Sequence, residues 1–136
     1  MEFRKFDTLT QDAINIRTAV FVEEQKFEEE FDGIDKYANV IICYDGEQPV
    51  AVLRYFEEDG EYHIGRVAVM REYRGRNLGA RIMQEAENEI KKEGGHFISL
   101  DAQMHAADFY RKCGYTPVGE IFLEQYCEHI KMVKNI

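Results

Sequence analysis

The stretch Arg71–Met83, REYRGRNLGARIM, decides how the chain is read. It places four arginines and two glycines in a chain of formal net charge -9. Just before it, EYHIGRVAVM (61–70) has the β-branched and aromatic content of a strand. Just after it, Leu78, Ile82, Met83, Ala86 and Ile90 recur at helical spacing. The stretch is therefore a turn that opens a helix. The first turn of a helix carries unpaired backbone N–H groups and the positive end of the dipole. Gly75 and Gly79 allow close backbone approach, and Arg74 and Arg76 add charge. This combination points to a bound anion, most naturally a phosphate. The spacing is neither the G-x-x-x-x-G-K-[ST] phosphate loop nor the G-x-G-x-x-G dinucleotide fingerprint.

The totals narrow the class of protein. The 136 residues suit one domain, 1–136, with a single core. Lys and Arg number 17 against 26 Asp and Glu, which argues against a nucleic-acid-binding face and either serves solubility alone, the favoured reading, or fits a cationic partner. No apolar run reaches the roughly 20 residues of a membrane span, and the N-terminus lacks a signal core, so a cytoplasmic location is expected. The three cysteines are unpaired in spacing, against a disulfide framework or a zinc site. Cys43 lies in an apolar run and reads as core. Cys113 or Cys127 as a nucleophile is the less favoured reading.

Alternating EFRKF predicts a first strand. Thr10 caps a helix over QDAINIRTAVF (11–21), and an acidic loop follows to Asp32-Gly33. VIICY, PVAVLRYFEE and EYHIGRVAVM read as an antiparallel meander turning at Asp45-Gly46 and Asp59-Gly60. Gly65 suggests a bulge or a close backbone approach. Gly94-Gly95 stops the helix begun at Leu78. HFISLDA is a strand, HAADFYRKC a short helix closed by Gly114, and VGEIFLEQY with HIKMVK a final strand pair. The order predicts a mixed α/β fold with six or seven strands, in which the strand from Tyr62 and the strand ending at Ala102 run parallel.

Two segments carry a resemblance. YRGRNLGARIM resembles the R/Q-x-x-G-x-G/A signature of the GNAT superfamily of N-acetyltransferases, with Arg74 in the basic place, Asn77 where the first glycine stands, and Gly79 in the last place. AQMHAADFYRKCGYTPVG resembles that family's N-x-x-A-x-x-x-Y-x-x-x-GF run. Gln103 takes the Asn place, Ala106 the Ala, Tyr110 the Tyr, and Gly114-Tyr115 the GF. IRTAVFVEEQ, DGID, IGRVAV and EHIKM are similar to the ElaA-like branch, although Asn39 stands where that branch carries a histidine.

The resemblance implies a central, mostly antiparallel sheet flanked by helices, with a splayed cleft for acetyl-CoA. It implies backbone pairing of Val67, Ala68 and Val69 with the pantetheine arm. The pyrophosphate would meet Arg74, Gly75, Arg76, Asn77, Leu78, Gly79 and Ala80, with Gln103, Ala106, Phe109 and Tyr110 completing the cofactor site. Phe109 reads as core in its own right. Asn tolerates the left-handed backbone better than most residues, so the turn can survive Asn77.

Acetyl transfer to an amine needs a proton acceptor, a donor for the oxyanion, and a proton for the departing thiolate. The resemblance implies that Tyr110 is the proton donor. Glu24 and His63, with Glu23 and His129, are the candidate bases. Arg66 either faces the cleft, favouring an anionic acceptor, or forms an ion pair. The run EEEFD (28–32) is a solvated loop or an attractor of polyamines. The favoured function is direct acetylation of a primary amine, without metal. The partners are then acetyl-CoA and the amine acceptor, with no nucleic acid or membrane and a homodimer left open. A CoA-binding sensing module without efficient transfer and a partner-binding domain are the alternatives.

Overall fold

The computed structural model describes residues 1–136 apart from Glu29. Seven strands form one sheet: β1 Glu2–Phe6, β2 Asn39–Asp45, β3 Gln48–Glu58, β4 Glu61–Val69, β5 Phe97–Gln103, β6 Thr116–Glu124 and β7 Cys127–Asn135. Their order across the sheet is β1-β2-β3-β4-β5-β7-β6. Every neighbouring pair is antiparallel except β4 with β5.

The apolar runs are continuous because both faces of the sheet are covered. Along β2, Val40, Ile42 and Tyr44 meet α1 (Gln11–Arg17) and its continuation through Ala13, Ile16, Val20 and Phe21. The alternate residues Ile41 and Cys43 share the other core with α2 (Leu78–Lys92). The anticipated stripe of α2 is buried, and it includes a residue the apolar pattern omits: Glu87 accepts bonds from Tyr115 Oη at 2.9 Å and Lys134 Nζ at 2.8 Å. α2 ends where Gly94 takes φ +92°, while a Cβ on Gly95 would strike Ile90 and come within 2.8 Å of the Tyr62 ring. The second short helix, α3, is Ala107–Lys112, entered through a 3-10 turn at Met104–Ala106.

Four local features differ from the sequence expectation. The first helix turns π-helical over Thr18–Glu24, carrying Glu24 and Gln25 past the expected end at Phe21. The bulge in β4 lies one residue beyond Gly65. Val52 pairs with Ala68 and Arg54 with Gly65, so Arg66 and Val67 together face Leu53, and Arg66 takes φ +53°. Gly65 itself has an ordinary contact there, Arg54 Nε lying 3.8 Å from a built Cβ. β6 stops at Glu124, and Gln125 and Tyr126 form the hairpin turn at φ +48° and +66°. Arg17, which shares the apolar face of the first helix, is a buried charge.

Arg17 belongs to a balanced set of three arginines and three carboxylates. It reaches Glu30 at 2.5 Å and Asp35 at 2.7 Å. Arg54 reaches Asp32 at 2.8 Å and Asp35 at 2.9 Å, and Arg66 reaches Glu30 at 2.8 Å. The Arg66 contact to Glu30 Oε1 is close in distance but poorly aligned, and that oxygen has no hydrogen-bond donor among the described residues. The set corrects one expectation and decides between two alternatives for another. Glu30 is a buried partner of arginines within the acidic run, not a solvated attractor of polyamines, while Glu29 lies outside the described residues. Arg66 is committed to carboxylates of the chain itself. Burial would raise the Asp35 carboxyl, but hydrogen bonds from Arg17, the Asp32 backbone and Arg54 outweigh it and bring it to about 2.

Candidate active site

β4 and β5 pair only at Tyr62–Ile98 and His63–Ser99. Beyond His63 the two strands part, so the edge of β4 from Ile64 to Val69 has no strand partner on that side. The bulge at Arg66–Val67 also removes one residue from the ladder with β3. Buried strand edges need hydrogen-bond partners, so this opening is suited to an extended ligand that supplies them.

Two cavities occupy the opening. The larger, about 840 Å³, is bounded by Val67, Ala68 and Val69 on one wall and by Ala106, Phe109 and Tyr110 on another, with Arg74 and Gly79 at its end. The smaller, about 420 Å³, runs toward His63, Ser99, Asp101 and His129. They share Gln25, Val67, Gln103 and Tyr110. A molecule in one can therefore meet a molecule in the other at this seam.

The helix start beside the larger cavity takes its form from three residues. Gly75 and Asn77 are left-handed, at φ +81° and +63°. Asn77 is the N-cap of α2 but its side chain caps nothing, and no acidic residue lies in the first turn. The amides of Leu78, Gly79 and Ala80 have no partner from the helix itself. Gly79 is needed for packing as well as approach: a Cβ there would come within 3.0 Å of the Phe109 ring. The Leu78 side chain is buried in the core, so any contact it makes to a ligand is through its backbone. Gly75, Arg76, Asn77 and Ala80 lie beside the larger cavity in sequence but do not bound it. Arg76 lies over the Tyr73 ring at 4.6 Å.

Arg74 is engaged. Its guanidinium donates twice to the Glu24 carboxylate, at 2.7 and 2.8 Å, and its Nε donates to Val69 O at 3.0 Å. The Arg74 hydrogen bond holds the Glu24 carboxyl below the usual range. A carboxylate held this way accepts a proton poorly, so the geometry makes Glu24 the partner of Arg74 and disfavours it as a base. Glu23 is exposed and borders neither cavity.

Tyr110 is half-buried, stands edge-on to Phe109 at 5.0 Å, and has no hydrogen-bond partner for its hydroxyl among the described residues. Burial pushes its phenol up, so it stays protonated. Phe109, read as core, is half-buried and forms part of the cavity wall. Gln103 Nε2 donates to Gln25 Oε1 at 2.9 Å, tying β5 to the end of the first helix across the opening. Gln103 Oε1 is hydrogen-bonded to His105 Nε2.

His63 shares a 2.7 Å hydrogen bond with Ser99 at the closed end of the split and stacks on Phe56. His129 is buried beside the smaller cavity. Burial pushes the Cys113 and Cys127 thiols up, the reverse of what a nucleophile needs. Sequence reading missed Gln25, Phe27, Gln125 and Tyr126 as cavity residues. They reach the site through the π-helical continuation and the hairpin turn, neither of which has a strong local signature. No group of three or more metal-ligating side chains occurs among the described residues. None of their helices is long and apolar enough to cross a membrane.

A sheet split open beside a helix start free of acidic residues is the architecture of an acyl-CoA-dependent transferase. The Acetyltransferase (GNAT) domain family matches residues 6–136, and the chain belongs to that family. It is similar to the uncharacterized N-acetyltransferase YjcF of Bacillus subtilis (strain 168), with 35% identity over 128 residues covering 92% of this chain and 91% of that one. Among solved structures, Escherichia coli ElaA superposes with a TM-score of 0.87 at 27% identity, covering 98% of this chain and 99% of ElaA. An acyl-CoA N-acyltransferase from Pseudomonas aeruginosa gives 0.86 at 27% identity, covering 98% of each chain. The fold is thus the GNAT fold in its ElaA-like form, and the family chemistry is acyl transfer from acyl-CoA.

Proposed function

We propose that the protein transfers the acetyl group of acetyl-CoA directly to a primary amine of a small molecule or peptide. The observation that carries this reading is the pair of cavities meeting at Val67, Gln103 and Tyr110. In it, acetyl-CoA takes the larger cavity. Its pyrophosphate lies on the amides from Gly75 to Ala80, and its pantetheine arm runs along Val67–Val69. The acceptor enters through the smaller cavity. Its nitrogen attacks the thioester carbonyl at the seam, the C–S bond breaks, and Tyr110 gives its proton to the departing sulfur.

Acetyl-CoA with a panel of primary amines, followed by free-thiol release, tests the reading. Amine-dependent thiol release with an acetylated product of matching mass is expected. Binding of acetyl-CoA without amine-dependent release across the panel would instead favour the sensing module. The arginine–carboxylate set supports a substrate chosen by shape and hydrogen bonding over one chosen by net charge, because its charges are already matched.

A further inference from the structure

We infer that His129 is the base that takes the proton from the acceptor amine, an assignment that rests on the acetyltransferase reading above. The site offers two histidines on the sheet, His63 and His129, and their levels in the split differ. His63 pairs with Ser99, where β4 and β5 are still joined. His129 pairs with Gln103, the β5 residue at the seam of the two cavities. Ser99 and Gln103 are four residues apart on one strand, about 13 Å. Directly opposed residues of antiparallel strands project to the same face, so His129 and Gln103 face the cleft together. His129 is thus at the level of the seam, where the proposed reaction occurs, and His63 well below it.

The ring is also prepared for the task. Its Nδ1 lies 2.9 Å from Cys127 O. A carbonyl only accepts, so Nδ1 carries a proton, and in the neutral tautomer this leaves Nε2 bare. Phe122 stacks against the ring at 5.7 Å and fixes its plane. Glu124 Oε2 lies 3.7 Å from Nε2, with a side chain 52% exposed. A proton taken by Nε2 therefore gains a carboxylate neighbour and an exit to solvent.

The other ionisable groups around the ring are few. Asp101 approaches from β5, Lys131 follows on β7 itself, and His105 leads away from β5. Across the cavity stand His63, the phenol of Tyr110 and the matched charges of Arg54, Arg66, Glu30 and Asp32. Glu124 is the carboxylate within ion-pair distance of the ring.

The proton count closes. An acceptor arriving as an ammonium ion gives one proton to His129 Nε2, and its freed lone pair forms the C–N bond. After the C–S bond breaks, the nitrogen loses a second proton, which replaces the one Tyr110 has given to sulfur. One proton leaves to solvent past Glu124 for each amide and free thiol formed.

The test compares the wild-type protein with H129Q, H129A and H63Q, measuring CoA affinity and the pH dependence of kcat/KM for an acceptor amine that the wild type acetylates. H129Q is expected to bind CoA within about twofold of wild type, to lose about 10²- to 10⁴-fold in kcat, and to lose the acid limb of the profile. Added imidazole is expected to restore part of the rate of H129A, which a purely structural role would not allow. An acid limb that survives in H129Q and disappears in H63Q overturns the assignment, as does a wild-type rate in H129Q. If the wild type transfers acetyl to no amine while binding acetyl-CoA, the acetyltransferase reading fails and this assignment fails with it.

Discussion

Single residues decide how the two cavities would work. Tyr110 lines the seam, and its hydroxyl has no hydrogen-bond partner among the described residues, which suits the proposed transfer of its proton to the sulfur. Tyr110→Phe is expected to lower kcat about 10- to 100-fold while leaving CoA affinity nearly unchanged, as separate kinetic and calorimetric titrations will show. Arg74 poses a different question, because Glu24 already holds it. An exposed pair of this kind is worth at most about 1 kcal/mol, so a pyrophosphate can displace the carboxylate. Removing the competitor in Glu24→Gln is therefore expected to tighten CoA binding up to about fivefold at low salt, with the gain shrinking as salt is added. Weaker binding in that variant would show that Glu24 positions Arg74.

Elements whose reasons are local were legible in the sequence, and elements whose reasons are distant were not. Leu78, Ile82, Met83, Ala86 and Ile90 announce α2 because their spacing is the helix period, and Gly94-Gly95 ends it for steric reasons visible nearby. The split between β4 and β5 came only through the resemblance, since nothing in EYHIGRVAVM says where pairing stops. Glycine is the usual bulge signal, so the sequence marks Gly65, whereas the bulge lies at Arg66–Val67 and arginine carries the positive φ. The turn at Gln125–Tyr126 lacks the Asn-Gly signature its geometry favours. Arg17 occupies an apolar helical position, and only its distant partners, Glu30 and Asp35, make its burial tolerable. Arg17→Ala would leave both carboxylates underpaired and is expected to cost about 3–5 kcal/mol in urea denaturation.

Across the whole molecule, the balanced ion set ties the loop after the first helix to β3 and β4, and so braces one wall of the smaller cavity. Its weak point is acid. Asp35 has a folded pKa of about 2 against 3.8 for the free group. As pH falls below about 4 the unfolded chain binds this proton before the folded one does, so the contribution of Asp35 is full above pH 4 and lost by about pH 2. It is on the order of 2 kcal/mol. Burial pushes Glu30 the other way, and its contribution has the opposite sign. The Asp35 share is therefore read by difference: the stability gap between wild type and Asp35→Asn is expected to narrow by that amount between pH 6 and pH 2. A gap that stays constant would place the acid sensitivity elsewhere.

The central claim is that coenzyme A lies in the split of the sheet with its pyrophosphate on the first turn of α2. Amide chemical-shift mapping of the isotopically labelled protein during a CoA titration tests it most directly. The largest saturable shifts are expected on Gly75 to Ala80 and on Val67 to Val69. No binding at millimolar CoA, or saturable shifts confined to other parts of the chain, would contradict it.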